Sequence, residues 1–64
     1  MSNTISIIIP VYNEEKSLEI LYGEIRSATR SFSKREVIFI DDGSTDGTTE
    51  LLQTMAEEYP DVNL

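Results

Sequence analysis

Sixty-four residues with no cysteine and no histidine make one domain at most and exclude both a disulfide framework and an ordinary zinc site. Twelve acids against five bases, a formal net charge of −7, repel phosphate backbones and argue against nucleic acid as a partner. No run approaches the roughly 18–20 apolar residues of a membrane span, and the N-terminus lacks the basic start and apolar stretch of a signal peptide. Any metal held here is expected to be a hard cation on carboxylates. The absence of cysteine fits a reducing compartment.

The first predicted element is a strand over Ile5-Ser6-Ile7-Ile8-Ile9. Its nearly continuous β-branched run suits a strand covered on both faces, as in a parallel sheet. Pro10 cannot donate to a ladder, so pairing is expected to end there. After Pro10-Val11-Tyr12-Asn13, the residues Leu18, Leu21, Tyr22, Ile25 and Ala28 recur at spacings of three and four and predict an amphipathic helix. Asn13 is its expected N-cap, with Glu14, Glu15 and Glu19 at the positive end and Arg26 and Arg30 near the other. Ser31 to Arg35 reads as a polar connection.

A second strand is predicted over Val37-Ile38-Phe39-Ile40, running into Asp41-Asp42. Gly43-Ser44-Thr45-Asp46-Gly47 has turn composition. Leu51, Leu52, Met55, Ala56 and Tyr59 mark a second helix, capped by Ser44 or Asp46 and stopped by Pro60. Val62-Asn63-Leu64 begins a third strand. Residues 34 to 64 carry eight of the twelve acids against Lys34 and Arg35, a balance that on most surfaces is simply solvated.

Strand, helix and strand in this order predict a crossover with the first two strands parallel. Both polar turns then lie at the carboxyl ends of neighbouring strands, the edge at which open α/β sheets bind ligands. Tyr12-Asn13-Glu14-Glu15 and Asp41-Asp42-Gly43-Ser44 should face each other across one crevice.

Successive side chains at a strand end point to opposite faces, so Asp41 and Asp42 cannot share one task. One can accept backbone N–H bonds and tie down the loop. The other can point into the crevice, where an ionised carboxylate accepts from a base N–H, a ribose hydroxyl or a metal. Tyr12 can stack on a flat base, worth about 1–3 kcal/mol, and Glu14 can accept from a base or ribose. Each has a purely structural counterpart: turn formation for the aspartates, packing for Tyr12, and helix-dipole complementation for Glu14 and, more than any other, Glu15.

The stretch Ile5 to Glu15, with its Pro10-Val11-Tyr12-Asn13-Glu14-Glu15, and the stretch Glu36 to Thr48, with its Asp41-Asp42-Gly43-Ser44-Thr45-Asp46-Gly47, together resemble the opening of family 2 glycosyltransferases. The Asn-Glu-Glu followed by a Leu-rich helix is most similar to the branch that loads sugars onto polyprenyl phosphates, of the dolichyl-phosphate mannosyltransferase type. The resemblance implies an α/β fold, the βαβα parallel two-stranded start of a GT-A, Rossmann-like nucleotide-sugar-binding domain with its third strand truncated. It implies that Pro10, Tyr12, Glu14 and Asp42 contact the nucleotide of a UDP- or GDP-sugar. Asn13, Asp41, Gly43 and Ser44 then support the loops.

The same resemblance implies Mg²⁺ or Mn²⁺ in the full-length family, held by an Asp-x-Asp after a later strand. Residues 1–64 contain none, nor the downstream catalytic acid, nor an acceptor-binding half. They read as the incomplete N-terminal part of such a domain, with no catalytic residue and no metal ligand of its own, expected to be inactive alone. The implied setting is cell-envelope polysaccharide biosynthesis, in the cytoplasm or peripheral at the inner face of the membrane in the full-length enzyme, with membrane attachment only through other parts. A non-catalytic nucleotide-binding or assembly piece is the alternative. A receiver domain would need a further strand-end aspartate and a lysine, and a haloacid-dehalogenase-like phosphatase an Asp-x-Asp-Gly-Thr, and neither pattern is met. The bare outer edge of the first strand predicts self-association through strand edges.

Overall fold

The computed structural model describes residues 3–64. Strand β1 (Thr4–Val11) runs parallel to β2 (Lys34–Asp41), with Thr4 opposite Lys34 and Val11 opposite Asp41. Strand β3 (Val62–Asn63) lies parallel on the other side of β2, Val62 opposite Val37, in the order β1-β2-β3. Helices α1 (Leu18–Ala28) and α2 (Thr48–Glu58) are the two crossovers. This is the α/β order expected, with the third strand beginning at Val62.

Apolar spacing explains which sides meet. Leu18 and Tyr22 of α1 and Leu52 and Met55 of α2 share one core with Val11, Val37, Phe39 and Val62, so both helices cover the same face of the sheet. Leu21, Ile25, Leu51, Ala56 and Tyr59 pack around this core, whereas Ala28 is exposed. The other face is open. Ile8 is 63% and Ile40 50% exposed, and the expectation of cover on both faces is corrected: a sheet with both crossovers on one side leaves the alternate residues of its strands unburied.

Pro10 does not end β1. The strand continues to Val11, with Pro10 opposite Ile40, because β1 is an edge strand. The Val11 carbonyl accepts from Asp42 N–H at 2.9 Å and so points to β2. By alternation the Pro10 nitrogen points outward, where no ladder bond is lost. Lys34 and Arg35 likewise belong to β2 rather than to the connection.

Two of the three cap candidates, Asn13 and Ser44, are also corrected. Helix α1 starts after Ser17, which makes no side-chain cap bond, and Asn13 stands four residues earlier at φ 51°. Ser44 does not cap α2, which follows Gly47. Asp46, the other candidate, accepts from Thr48 N–H through its Oδ1 at 2.9 Å, although Gly47 holds the cap position. The stop at Pro60 is as expected, with Tyr59 extended at ψ 112° because a residue before proline is driven out of the helical region.

Opposite the two turns, a polar network clamps the helices to the sheet. Asp61 accepts from Tyr22 Oη at 2.5 Å and from Arg35 Nε at 2.7 Å, while Tyr22 stacks on Tyr59 at 4.5 Å. Burial pushes the Tyr22 hydroxyl up to about 12, and its bond to the Asp61 carboxylate adds to the shift. Burial alone would push the Asp61 carboxyl up, but the bonds from Tyr22 and Arg35 outweigh it and hold it below the ordinary carboxylate value. Among the described residues no helix is long and apolar enough to cross a membrane.

Candidate functional site

The carboxyl ends of β1 and β2 lie side by side, and the turns that follow them are joined by hydrogen bonds. Asn13 is the hinge of that junction. Its backbone N–H donates to Ser44 Oγ at 3.0 Å and its Oδ1 accepts from Thr45 N–H at 2.8 Å. A left-handed backbone at a non-glycine residue is tolerated best by asparagine, so residue type and contact pattern agree. Gly43, at φ 72°, bends the second turn to meet it.

Two further bonds extend the seam. Glu14 N–H donates to Thr48 Oγ1 at 2.9 Å, and Thr48 Oγ1 donates in turn to Asp46 Oδ1. A single fully buried hydroxyl thereby satisfies a donor in one turn and an acceptor in the other. Glu15 Oε1 accepts from Gly47 N–H at 3.0 Å. Its carboxylate complements the start of α2, not α1, which sequence spacing alone did not anticipate. Thr48 and Thr49 were also missed, though a Ser/Thr-rich tract opening a helix is a common source of such bonds.

The two aspartates part as alternation requires. Asp41 Oδ1 accepts from Ser44 N–H at 3.0 Å, and Oδ2 accepts from the Thr49 hydroxyl. These donors, Ser44 first, hold its carboxyl below the ordinary value. Asp46 is lowered in the same way by Thr48. Asp42 is exposed and its carboxylate accepts no hydrogen bond among the described residues, so its acceptor capacity is free.

Tyr12, 54% exposed, follows Val11, whose carbonyl holds Asp42 N–H. Tyr12 and Asp42 are therefore brought together at adjacent strand ends. Pro10 lies two residues behind Tyr12, opposite Ile40. Glu14 lies on the helix side, where its Oε2 accepts from Ser17 Oγ at 2.7 Å. Pro10 and Glu14 share a shallow groove of about 330 Å³ with Ile9 and Ile20, and Tyr12 and Asp42 stand outside it. Such a surface can stack a flat ring and accept hydrogen bonds along its edge. It does not fit a divalent cation: among the described residues no three acids converge, and Asp41 is already engaged.

The seam is directly testable. Asn13→Ala loses the side-chain bonds to Thr45 and places alanine at positive φ, for an expected cost of about 2 kcal/mol. Asn13→Gly loses the same bonds but relieves the backbone, and should cost less. Denaturant titration of both variants checks the order; equal costs would remove the backbone part of the explanation.

Comparison with known proteins adds an independent finding. Residues 6–64 match the family model described as glycosyl transferase family 2. The chain is 49% identical over 61 residues to an undecaprenyl-phosphate 4-deoxy-4-formamido-L-arabinose transferase of Aeromonas hydrophila, covering 88% of this chain and 19% of that protein. Proteins of the same name from Pseudomonas paraeruginosa and Yersinia pestis are 48% identical over 54 residues and 44% over 61. They cover 83% and 94% of this chain, and 16% and 18% of their own length. The chain thus spans under a fifth of the length of these curated relatives.

Proposed function

The chain belongs to glycosyl transferase family 2, and from that premise we propose that Tyr12 and Asp42 hold the base of a nucleotide-sugar donor. In this reading Tyr12 stacks on the ring and Asp42 accepts from a base N–H, while Pro10 and Glu14 border the base and ribose. Asn13, Asp41, Gly43 and Ser44 keep the two turns at a fixed separation. The donor is a UDP- or GDP-sugar.

The supporting observation is the 2.9 Å bond from Asp42 N–H to the Val11 carbonyl, which puts an exposed ring and a free carboxylate on neighbouring strand ends. Asp41 supports the reading by contrast, since its two oxygens are used within the loop.

The whole protein to which such residues belong is proposed to transfer the sugar to a polyprenyl phosphate in cell-envelope glycan assembly, at the cytoplasmic face of a membrane. The printed names of the relatives support that acceptor class. A divalent cation, Mg²⁺ or Mn²⁺, supplies charge neutralisation at the departing diphosphate in the family, and the described residues do not form its site. Residues 1–64 are accordingly the incomplete nucleotide end of the domain and bind without transferring. A non-catalytic nucleotide-binding piece is the second reading, favoured by the lack of converging acids among the described residues.

Calorimetric titration with UDP and with GDP tests this. Weak binding is expected, unchanged by Mn²⁺. Tyr12→Ala should weaken it about 5- to 150-fold, the range for losing one stacked base. Asp42→Ala should weaken it about tenfold or more, and Glu58→Ala should not. If neither nucleotide binds at millimolar concentration, or if Tyr12→Ala and Asp42→Ala bind as well as the parent, the reading is wrong.

A further inference from the structure

We propose that Thr48 and Thr49, the first two residues of α2, are positioning residues that set the separation of Tyr12 and Asp42 and with it the affinity for the nucleotide. The proposal rests on the nucleotide reading of that pair. Each threonine holds one turn. Thr48 Oγ1 accepts from Glu14 N–H at 2.9 Å, in the turn that carries Tyr12. The Thr49 hydroxyl donates to Asp41 Oδ2, next to Asp42.

The sheet itself fixes only the base of the two turns. The bond from Asp42 N–H to the Val11 carbonyl ties Tyr12 down on one side alone. The bonds that join the turns directly, from Asn13 N–H to Ser44 Oγ and from Thr45 N–H to Asn13 Oδ1, are exposed. Water competes for exposed donors and acceptors, so such bonds hold a loop weakly. The bonds to Thr48 and Thr49 are partly buried, and breaking one strands a polar group where water reaches it poorly. With Glu14 N–H held by Thr48, Tyr12 lies between two fixed points.

The first turn of α2 is a firm reference for both sides. Thr48 is fully buried, and Leu52 and Met55 root the same helix in the core with Phe39. A β-branched side chain has a restricted χ1, so each hydroxyl is aimed by its own backbone. Thr48 Oγ1 gives its proton to Asp46 Oδ1, which leaves its lone pairs for Glu14 N–H. Asp41 accepts from Ser44 N–H through its other oxygen, so Thr49 holds the entry to the second turn as well. These contacts are internal to the two turns and α2.

Titration of Thr48→Val and Thr49→Val with UDP and with GDP, beside amide hydrogen exchange without nucleotide, tests the proposal. Valine keeps the branched shape and removes the hydroxyl. Each variant should bind about threefold to tenfold more weakly, the lower range of couplings within one hydrogen-bond network. Thr48→Ser and Thr49→Ser, which keep the hydroxyl, should recover most of the loss. Exchange at Glu14 N–H should quicken about tenfold in Thr48→Val. Tyr22→Phe is the matched control: it removes a hydroxyl from the network with Asp61, away from the turns, and should change affinity less than about twofold. Circular dichroism confirms that each variant is folded, and half-buried Thr49 carries the comparison if Thr48→Val is not. If the parent binds and the valine variants bind as tightly, or serine restores nothing, or Tyr22→Phe weakens binding equally, the proposal is overturned while the nucleotide reading stands. If the parent binds neither nucleotide, both are overturned.

Discussion

Phe39→Ala is expected to remove about a third or more of the chain's stability. Phe39 is 1% exposed and lies in the core that both helices share. Removing a buried phenyl ring costs about 3–5 kcal/mol, the transfer loss plus the cavity left behind. A chain of this length has a total stability of only about 3–10 kcal/mol, so one ring is a large part of the whole. Ile8→Ala is the matched control. Ile8 is 63% exposed on the open face, and its truncation should change stability by no more than about 0.5 kcal/mol. Circular dichroism melts of the two variants measure the contrast, and comparable losses would mean that the open face is covered in solution.

Asp61→Ala is expected to cost about 2–3 kcal/mol and to lower the melting temperature by roughly 10–20 °C. The substitution leaves the Arg35 guanidinium and the Tyr22 hydroxyl without their partner, at side-chain exposures of 21% for Arg35 and 16% for Asp61. Breaking one member of a shielded pair costs more than the pair contributes, because the remaining charge stays poorly solvated. The pH profile separates this network from simple packing. The native Asp61 carboxyl is held below its ordinary value, so its contribution is complete above about pH 4 and is lost as pH falls through the lowered value. Tyr22 has the opposite sense. Its native value is raised to about 12, so its contribution is complete below about pH 10 and is lost as pH rises toward 12. Tyr22→Phe should abolish the alkaline loss and leave the Asp61 part of the acid loss reduced but present. An alkaline limb that survives Tyr22→Phe would assign it to another group.

The expected end of β1 failed at Pro10, for a reason a linear reading cannot contain. Proline does end a central strand, and Pro10 would do so if both sides of β1 were paired. Which side is free depends on strand order, which is set by where residues 34–41 and 62–63 come to lie. The same holds for Asn13. Its residue type suits a helix cap as well as a left-handed bend, and only the approach of Ser44 and Thr45 selects the bend. Glu15 repeats the pattern: an acid before one helix served the start of the other.

By itself the sequence determined the element types, the parallel order and the adjacency of the two turns. These follow from local periodicity and from the geometric demand that a helix linking two strands return the chain to the same end of the sheet. It also determined that Asp41 and Asp42 must diverge, since alternation is a property of every strand. Alternation by itself does not say which aspartate is engaged: the Ser44 N–H and the Thr49 hydroxyl of α2 engage Asp41. Tertiary structure alone decided that both helices lie on one face, leaving Ile8 and Ile40 in water. The Tyr22–Asp61–Arg35 network belongs there too. Its members are 39 and 26 residues apart in pairs, and a hydrogen bond across such a span is specified by packing, which no short window of residues encodes.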